Sequence, residues 1–155
     1  MGKRNSSHRF SDDMHSMISI IKSGTLESKD TIIETMFWLG LADSKAKYVT
    51  EHMRRIANVK AKRLKKQLLM TIPRDRMSDL LTPLNFKRHL SMLVIANVEY
   101  PEIKTWIIES FDVIAACSDN SEKIIKLCIK QARTVLAGNS KFYKEIKALE
   151  VIKNE

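Results

Sequence analysis

Apolar residues recur at three- and four-residue steps along most of this chain, which is the spacing of one face of an α-helix. Ser11 is a capping residue, and Asp12 and Asp13 suit the positive end of a helix dipole. Met14, Met17, Ile18 and Ile21 then form the stripe of a first predicted helix, which Gly24 is expected to stop. A second is predicted over roughly 28–39, with Ile32, Ile33, Met36 and Phe37 inward and Gly40 at its end. A third is expected to begin near Asp43 or Ser44 and to turn Ala46, Val49, Met53 and Ile56 inward. The pattern leaves open whether it breaks near Asn58 or continues through Leu64 and Leu68 towards Pro73.

Residues 75–81 fit a short helical turn. Thr82-Pro83 is a start signal, a cap followed by proline in the first turn, and Leu84, Leu90, Leu93 and Val94 continue that helix. Pro101 opens the next, whose stripe of Ile103, Trp106, Ile107, Phe111 and Ile114 is the clearest in the chain. After a loop at Ser118-Asp119-Asn120-Ser121, Ile124, Ile125, Cys128, Ala132 and Leu136 mark another helix ending at Gly138. Ser140 can cap a last one carrying Phe142, Ile146, Leu149 and Ile152. No stretch alternates with period two. The predicted fold is therefore all-α, a compact bundle of about seven to eight helices. Residues 1–10 read as a flexible basic arm and 11–155 as one helical domain, a length that buries roughly 70% of the unfolded surface.

Charge changes the picture from fold to function. The net charge is +9 and the pI about 9.6, so phosphate-bearing partners are favoured. Residues 1–80 hold 16 Lys/Arg against 9 Asp/Glu, and residues 81–155 hold 11 against 9, so the anion-facing work is expected in the first half. Arg54, Arg55, Lys60, Lys62, Arg63, Lys65 and Lys66 put seven cations into thirteen residues with no acid among them. Like charges this dense repel, so the cluster is best explained by an anionic partner. Neutralising about six phosphates would make affinity fall roughly a thousandfold between about 50 and 200 mM salt. A solvated helix face or a nuclear import signal is the bland alternative. Arg55, Lys62 and Lys66 share one helix face, and Lys87 and Arg88, with His89, are candidates to extend the patch. No Phe, Tyr or Trp occurs between residues 49 and 85, which argues against base stacking and for phosphate contact.

Met1-Gly2-Lys3-Arg4-Asn5-Ser6 fits the M-G-x-x-x-[ST] pattern of N-myristoylation at Gly2. One acyl chain binds membranes only marginally and needs a polybasic second signal, which Lys3, Arg4, Arg9 and the 54–66 cluster would supply. No apolar run is long enough to span a bilayer, and the polar N-terminus is not expected to be a signal peptide. Signs of catalysis are lacking. His8, His15, His52 and His89 have no metal-ligand spacing, Glu51-His52 lacks a second histidine, and no phosphate-cradling glycine loop or nucleophile elbow occurs. The chain is expected to be a non-enzyme without cofactor or metal. Cys117 and Cys128 fall at apolar helix positions and are expected to be buried, reduced thiols, implying a reducing compartment. Trp38 and Trp106 are expected in the core, with a partner-binding anchor as the alternative. The methionines read mostly as core filler, with some free to make a self-association surface.

Ile18-Ser19-Ile20-Ile21-Lys22-Ser23-Gly24-Thr25-Leu26 resembles a segment near the start of influenza-type (orthomyxovirus) matrix proteins. Thr71-Ile72-Pro73, followed by Arg74, Asp75 and Arg76, is similar to a turn and its charged sequel in that family at nearly the same spacing. In the family the basic helix follows this turn, whereas here Lys62 to Lys66 precede it, and the likeness stops before residue 90. The resemblance implies a basic all-helical domain that lines the inner membrane face, self-assembles and contacts ribonucleoprotein. The expected partners are thus anionic membrane lipids, RNA or ribonucleoprotein, and further copies of the chain. The expected location is the cytoplasmic side of a host membrane or a virion interior. Two other readings stand beside it: an RNA-binding accessory or transcription cofactor, and a helical adaptor anchored by Trp38 or Trp106.

Overall fold

The computed structural model describes residues 10–75 and 77–137. It is all-helical there, with α1 Asp12–Gly24, α2 Lys29–Asp43, α3 Glu51–Met70, α4 Pro83–Ile95, α5 Tyr100–Cys117 and α6 Ser121–Leu136. Six helices among the described residues are fewer than the seven to eight expected. The helix expected after Ser140 lies outside the described residues, as do the arm at 1–9 and Gly138. Of the helical turn expected at 75–81 a single turn forms, in which the Ser78 and Asp79 N–H groups donate to the Asp75 carbonyl at 3.3 and 2.8 Å, and it does not continue because Asp79 takes φ 52° and the Asp75 N–H donates to the Leu80 carbonyl at 2.9 Å.

Local chemistry sets most boundaries. Ser11, Ser28, Thr50 and Thr82 each accept a backbone N–H from three residues on, satisfying a donor the first turn leaves unpaired. Asn97 ends α4 at φ 56°, with Val98 N–H on Leu93 O and Asn97 N–H on Val94 O, the paired bonds of a left-handed helix stop. Gly40 does not end α2. The helix runs through it to Asp43, because open space around its Cα and a negative φ demand nothing special of the residue.

The core sits in the second half. Phe86, Leu90, Met92 and Leu93 of α4, Ile103, Trp106, Ile107, Phe111 and Ile114 of α5, and Cys128, Ala132 and Leu136 of α6 are all but sealed from solvent. Phe86 stacks between Trp106 and Phe111, with ring centroids 5.3 and 5.8 Å apart. The stripe of α5 read from the sequence is buried in full. The first half is thinner. It buries Ile18, Ile32, Ala57 and Ala61, with Thr25 and Thr35. Met36, Phe37, Met53 and Ile56, expected inward, are exposed, and Ile33 and Val49 are half-buried. On α3 the buried positions are the small Ala57 and Ala61 with Leu68, and the larger Met53 and Ile56 fall on other faces of that helix. α3 also starts later than expected, at Glu51, and is unbroken through Asn58.

The end of α3 is held by the core. Trp106 Nε1–H donates to Thr71 O at 2.9 Å, and His89 Nε2 lies 2.7 Å from Leu68 O. A carbonyl only accepts, so His89 Nε2 carries a proton and donates it to Leu68 O. The two rings stack at 5.0 Å. Burial pushes the His89 pKa below its ordinary 6.5, against the opposing pull of its bond to Leu68. A folded-state pKa below the unfolded one means that stability is complete above about pH 6.5 and is lost as pH falls through the folded value. Wild-type protein is therefore expected to lose thermal midpoint between about pH 7 and 5, and His89→Gln to flatten that slope. Parallel slopes for the two proteins would show that His89 does not titrate against folding.

Candidate functional site: the cationic face of helix α3

All seven clustered cations lie on α3, a helix of 20 residues. Its buried line runs through Ala57, Ala61 and Leu68. On the opposite side Arg55, Lys62 and Lys66 fall within roughly 40° of arc at 3.6 residues per turn, and span about 16 Å of axis. All three are exposed. Val59 (58% exposed) and Met70 (76% exposed) lie in the same stripe. The outer face is thus a row of cations with two exposed apolar side chains set into it.

The remaining four cations diverge from that row. Arg54 is structural. Its Nε–H donates to Ser44 O at 2.8 Å, and its Nη1 lies 3.6 Å from Glu51 Oε2, fastening the loop after α2 to the first turns of α3. Lys60 and Arg63 turn towards α2, where with Glu34, Trp38, Leu64 and Gln67 they line a groove of about 210 Å³. Lys65 is half-buried on the other flank. Among the described residues, Arg55, Lys60, Lys62, Arg63, Lys65 and Lys66 have no carboxylate within 4.0 Å. The cluster is therefore uncompensated, although only three of its members point the same way.

α4 does not extend the patch towards α3. His89 points into the core, and Lys87, two residues earlier, lies on the far side of α4. Arg88 is half-buried, with its Nε shielded from solvent and without a hydrogen-bond partner among the described residues. Gly2, Lys3, Arg4 and Arg9 lie outside the described residues.

Three features escaped the sequence reading. The first is an aromatic neighbour for the cations. Trp38 is half-buried, donates from Nε1 to Glu34 Oε1 at 3.2 Å, meets Phe37 edge-on at 5.0 Å and shares the groove with Lys60 and Arg63. The α2–α3 pairing supplies what the stretch 49–85 lacks. Trp106, by contrast, is 1% exposed and cannot anchor a partner. The second is Cys117, which is exposed rather than buried because it falls in the last turn of α5, beyond the core. Cys128 is buried as expected, and burial pushes its thiol pKa up to about 12, so it is inert. The third is a second row of cations, Lys123, Lys126 and Lys130, on the exposed face of α6. Its three- and four-residue spacing is visible in the sequence, but the acids of α5 hide it in any regional charge balance.

Among the described residues no group of His, Cys, Asp and Glu is placed to hold a metal ion, and no helix is long and apolar enough to cross a membrane. No protein-family model matches the chain, and neither the curated proteins nor the solved structures contain a significant match. Over the described residues, the fold and the site together define a basic all-helical domain with an uncompensated cationic face on α3.

Proposed function

We propose that this chain is a structural, matrix-type module that lies on anionic membrane surfaces through the outer face of α3 and associates with further copies of itself. One observation carries the reading: Arg55, Lys62 and Lys66 stand exposed in a line, with no carboxylate of the described residues within 4.0 Å, interleaved with exposed Val59 and Met70. A convex helix face with that composition fits a flat, phosphate-rich surface with an apolar layer beneath it. Each cation held near an anionic bilayer contributes about 1 kcal/mol, so three give weak, reversible binding. Self-association, or an acyl chain on Gly2, would raise it by adding simultaneous contacts. The short resemblance to orthomyxovirus matrix proteins agrees in kind.

Flotation with vesicles tests the proposal. Binding to vesicles containing phosphatidylserine at low salt, its loss at high salt, and no binding to pure phosphatidylcholine are expected. Equal recovery with both vesicle types would overturn it.

A second reading has its own observation. Trp38 beside Lys60 and Arg63 could stack a base while the cations hold its phosphates, as single-strand RNA binders do. RNA affinity unchanged by the joint substitutions Trp38→Ala, Lys60→Glu and Arg63→Glu would remove this reading.

A further inference from the structure

Two grooves meet along α2, and Glu34 and Trp38 line both of them. The polar one, the groove of about 210 Å³ between α2 and α3, holds three formal charges. Glu34 stands on the α2 wall, and Lys60 and Arg63 stand about one turn apart on the α3 wall. Among the described residues, none of the three has an oppositely charged group within 4.0 Å. Opposite charges thus share one groove without closing on each other. Trp38 Nε1–H donates to Glu34 Oε1 at 3.2 Å, which steers the carboxylate and leaves its other oxygen to accept from a ligand. The groove is smaller than the roughly 300–1,000 Å³ of drug-sized sites, so it suits a single polar headgroup. The second groove, of about 530 Å³, has Phe10, Ile33 and Phe37 in its walls.

Charge complementarity narrows the ligand. Two cations and one carboxylate match a group with two anionic centres and one cationic donor. A bare phosphate, or the phosphate chain of a nucleic acid, meets Lys60 and Arg63 but is repelled by Glu34. A phosphoserine headgroup offers a phosphate and a carboxylate to the two cations and an ammonium to Glu34, each a charge-assisted contact. Hydrocarbon attached to that headgroup meets the apolar groove across the ridge of Glu34 and Trp38. A polar head and an apolar tail on two sides of one wall are the chemistry of a lipid molecule. Arg63 lies about 60–100° around α3 from Arg55, Lys62 and Lys66, so the polar groove opens on the flank of the cationic row. We infer that the α2–α3 groove binds the headgroup of a single phosphatidylserine, with an acyl chain along the neighbouring apolar groove. The inference names the lipid of the proposed membrane role and rests on that role, but it uses side chains other than the outer row of α3.

Glu34→Gln in the full chain separates this site from plain charge attraction, because the two predict opposite signs. Glutamine keeps an oxygen for the Trp38 N–H, and the substitution removes a negative charge from a basic protein. Charge attraction alone makes the variant bind every anionic vesicle more tightly. The groove makes it bind phosphatidylserine vesicles about tenfold more weakly, while binding to vesicles with the same fraction of phosphatidylglycerol holds or rises. Wild-type protein is expected to prefer phosphatidylserine at equal lipid charge, and Lys60→Gln with Arg63→Gln to abolish the preference. Dihexanoyl phosphatidylserine below its micelle concentration gives a second readout. It should change the fluorescence of half-buried Trp38 saturably, while Trp106 stays sealed in the core. Free O-phosphoserine should compete with it, and inorganic phosphate should not. Equal binding of the two lipids by wild type, or tighter phosphatidylserine binding by Glu34→Gln, overturns the site and leaves the membrane role standing. No binding to either anionic vesicle overturns the membrane role, and the fluorescence titration then decides the groove: saturation supports it and a flat trace overturns it. A flat trace with lipid, beside a response to single-stranded RNA that Lys60→Gln with Arg63→Gln removes, gives the groove to nucleic acid and overturns the lipid site.

Discussion

Replacing Trp106 by alanine is expected to cost about 3–5 kcal/mol of folding free energy, the range for emptying a large aromatic site in a packed core. The site has little room to relax. Trp106 is 1% exposed and is stacked by Phe86 and His89, each of which would lose a ring-sized neighbour. Its indole N–H also satisfies Thr71 O just beyond the end of α3, so the substitution removes one of two bonds that tie the cationic helix to the core. Domains of this size are commonly stable by about 5–15 kcal/mol, so the variant should retain a fold but unfold at much lower denaturant. Trp106→Phe separates the two contributions. It keeps most of the ring and leaves the carbonyl without its donor, at about 1–3 kcal/mol if the carbonyl stays shielded from water. Trp38→Ala is the contrast. That half-buried ring bonds only to Glu34 on its own helix, and its loss should cost about 1 kcal/mol or less. Urea titrations of the three variants check the order. A Trp106→Ala midpoint equal to that of wild type would show that the clamp on α3 does not exist.

The same comparison shows how far the sequence could be read. Every helix among the described residues was visible as a run of apolar spacing, and α5 was legible to the residue, because Ile103, Trp106, Ile107, Phe111 and Ile114 enter a core that covers them on all sides. The failures are in α1, where Met14 and Met17 of the expected stripe are exposed, and in α2 and α3. Met36, Phe37, Met53 and Ile56 look like core residues, yet they lie outside, while the buried positions of α3 include the small Ala57 and Ala61. Alanine buries little area per residue and so gives a weak signal next to methionine or phenylalanine. α2 is apolar around most of its circumference, so no periodicity marked which side would be buried. The cluster was legible as composition, but its division into an outer row, an α2-facing pair and a structural Arg54 required the path of the loop at 44–50. Trp38 reached the cations only through helix pairing, a relation between residues more than twenty positions apart.

Neutralising Arg55, Lys62 and Lys66 together as glutamine is expected to reduce partitioning onto phosphatidylserine vesicles by about 150-fold at low salt. Each cation lost near the bilayer removes about 1 kcal/mol, and three remove about 3 kcal/mol. Glutamine keeps a comparable side-chain length and helix propensity, and the three side chains are exposed without ion-pair partners among the described residues, so the fold should be unaffected. The comparison that isolates the face is a second triple variant, Lys123→Gln with Lys126→Gln and Lys130→Gln, of identical net charge. If binding followed total charge alone, both variants would lose the same amount. If the outer row of α3 is the contact, the first loses nearly all of its binding and the second loses little. Salt supplies an independent axis. Exposed charges are screened within about 8 Å at physiological ionic strength, so the gap between wild type and the α3 variant should narrow steadily as salt rises. A gap that persists unchanged at high salt would mean that Val59 and Met70, rather than the cations around them, hold the protein to the bilayer.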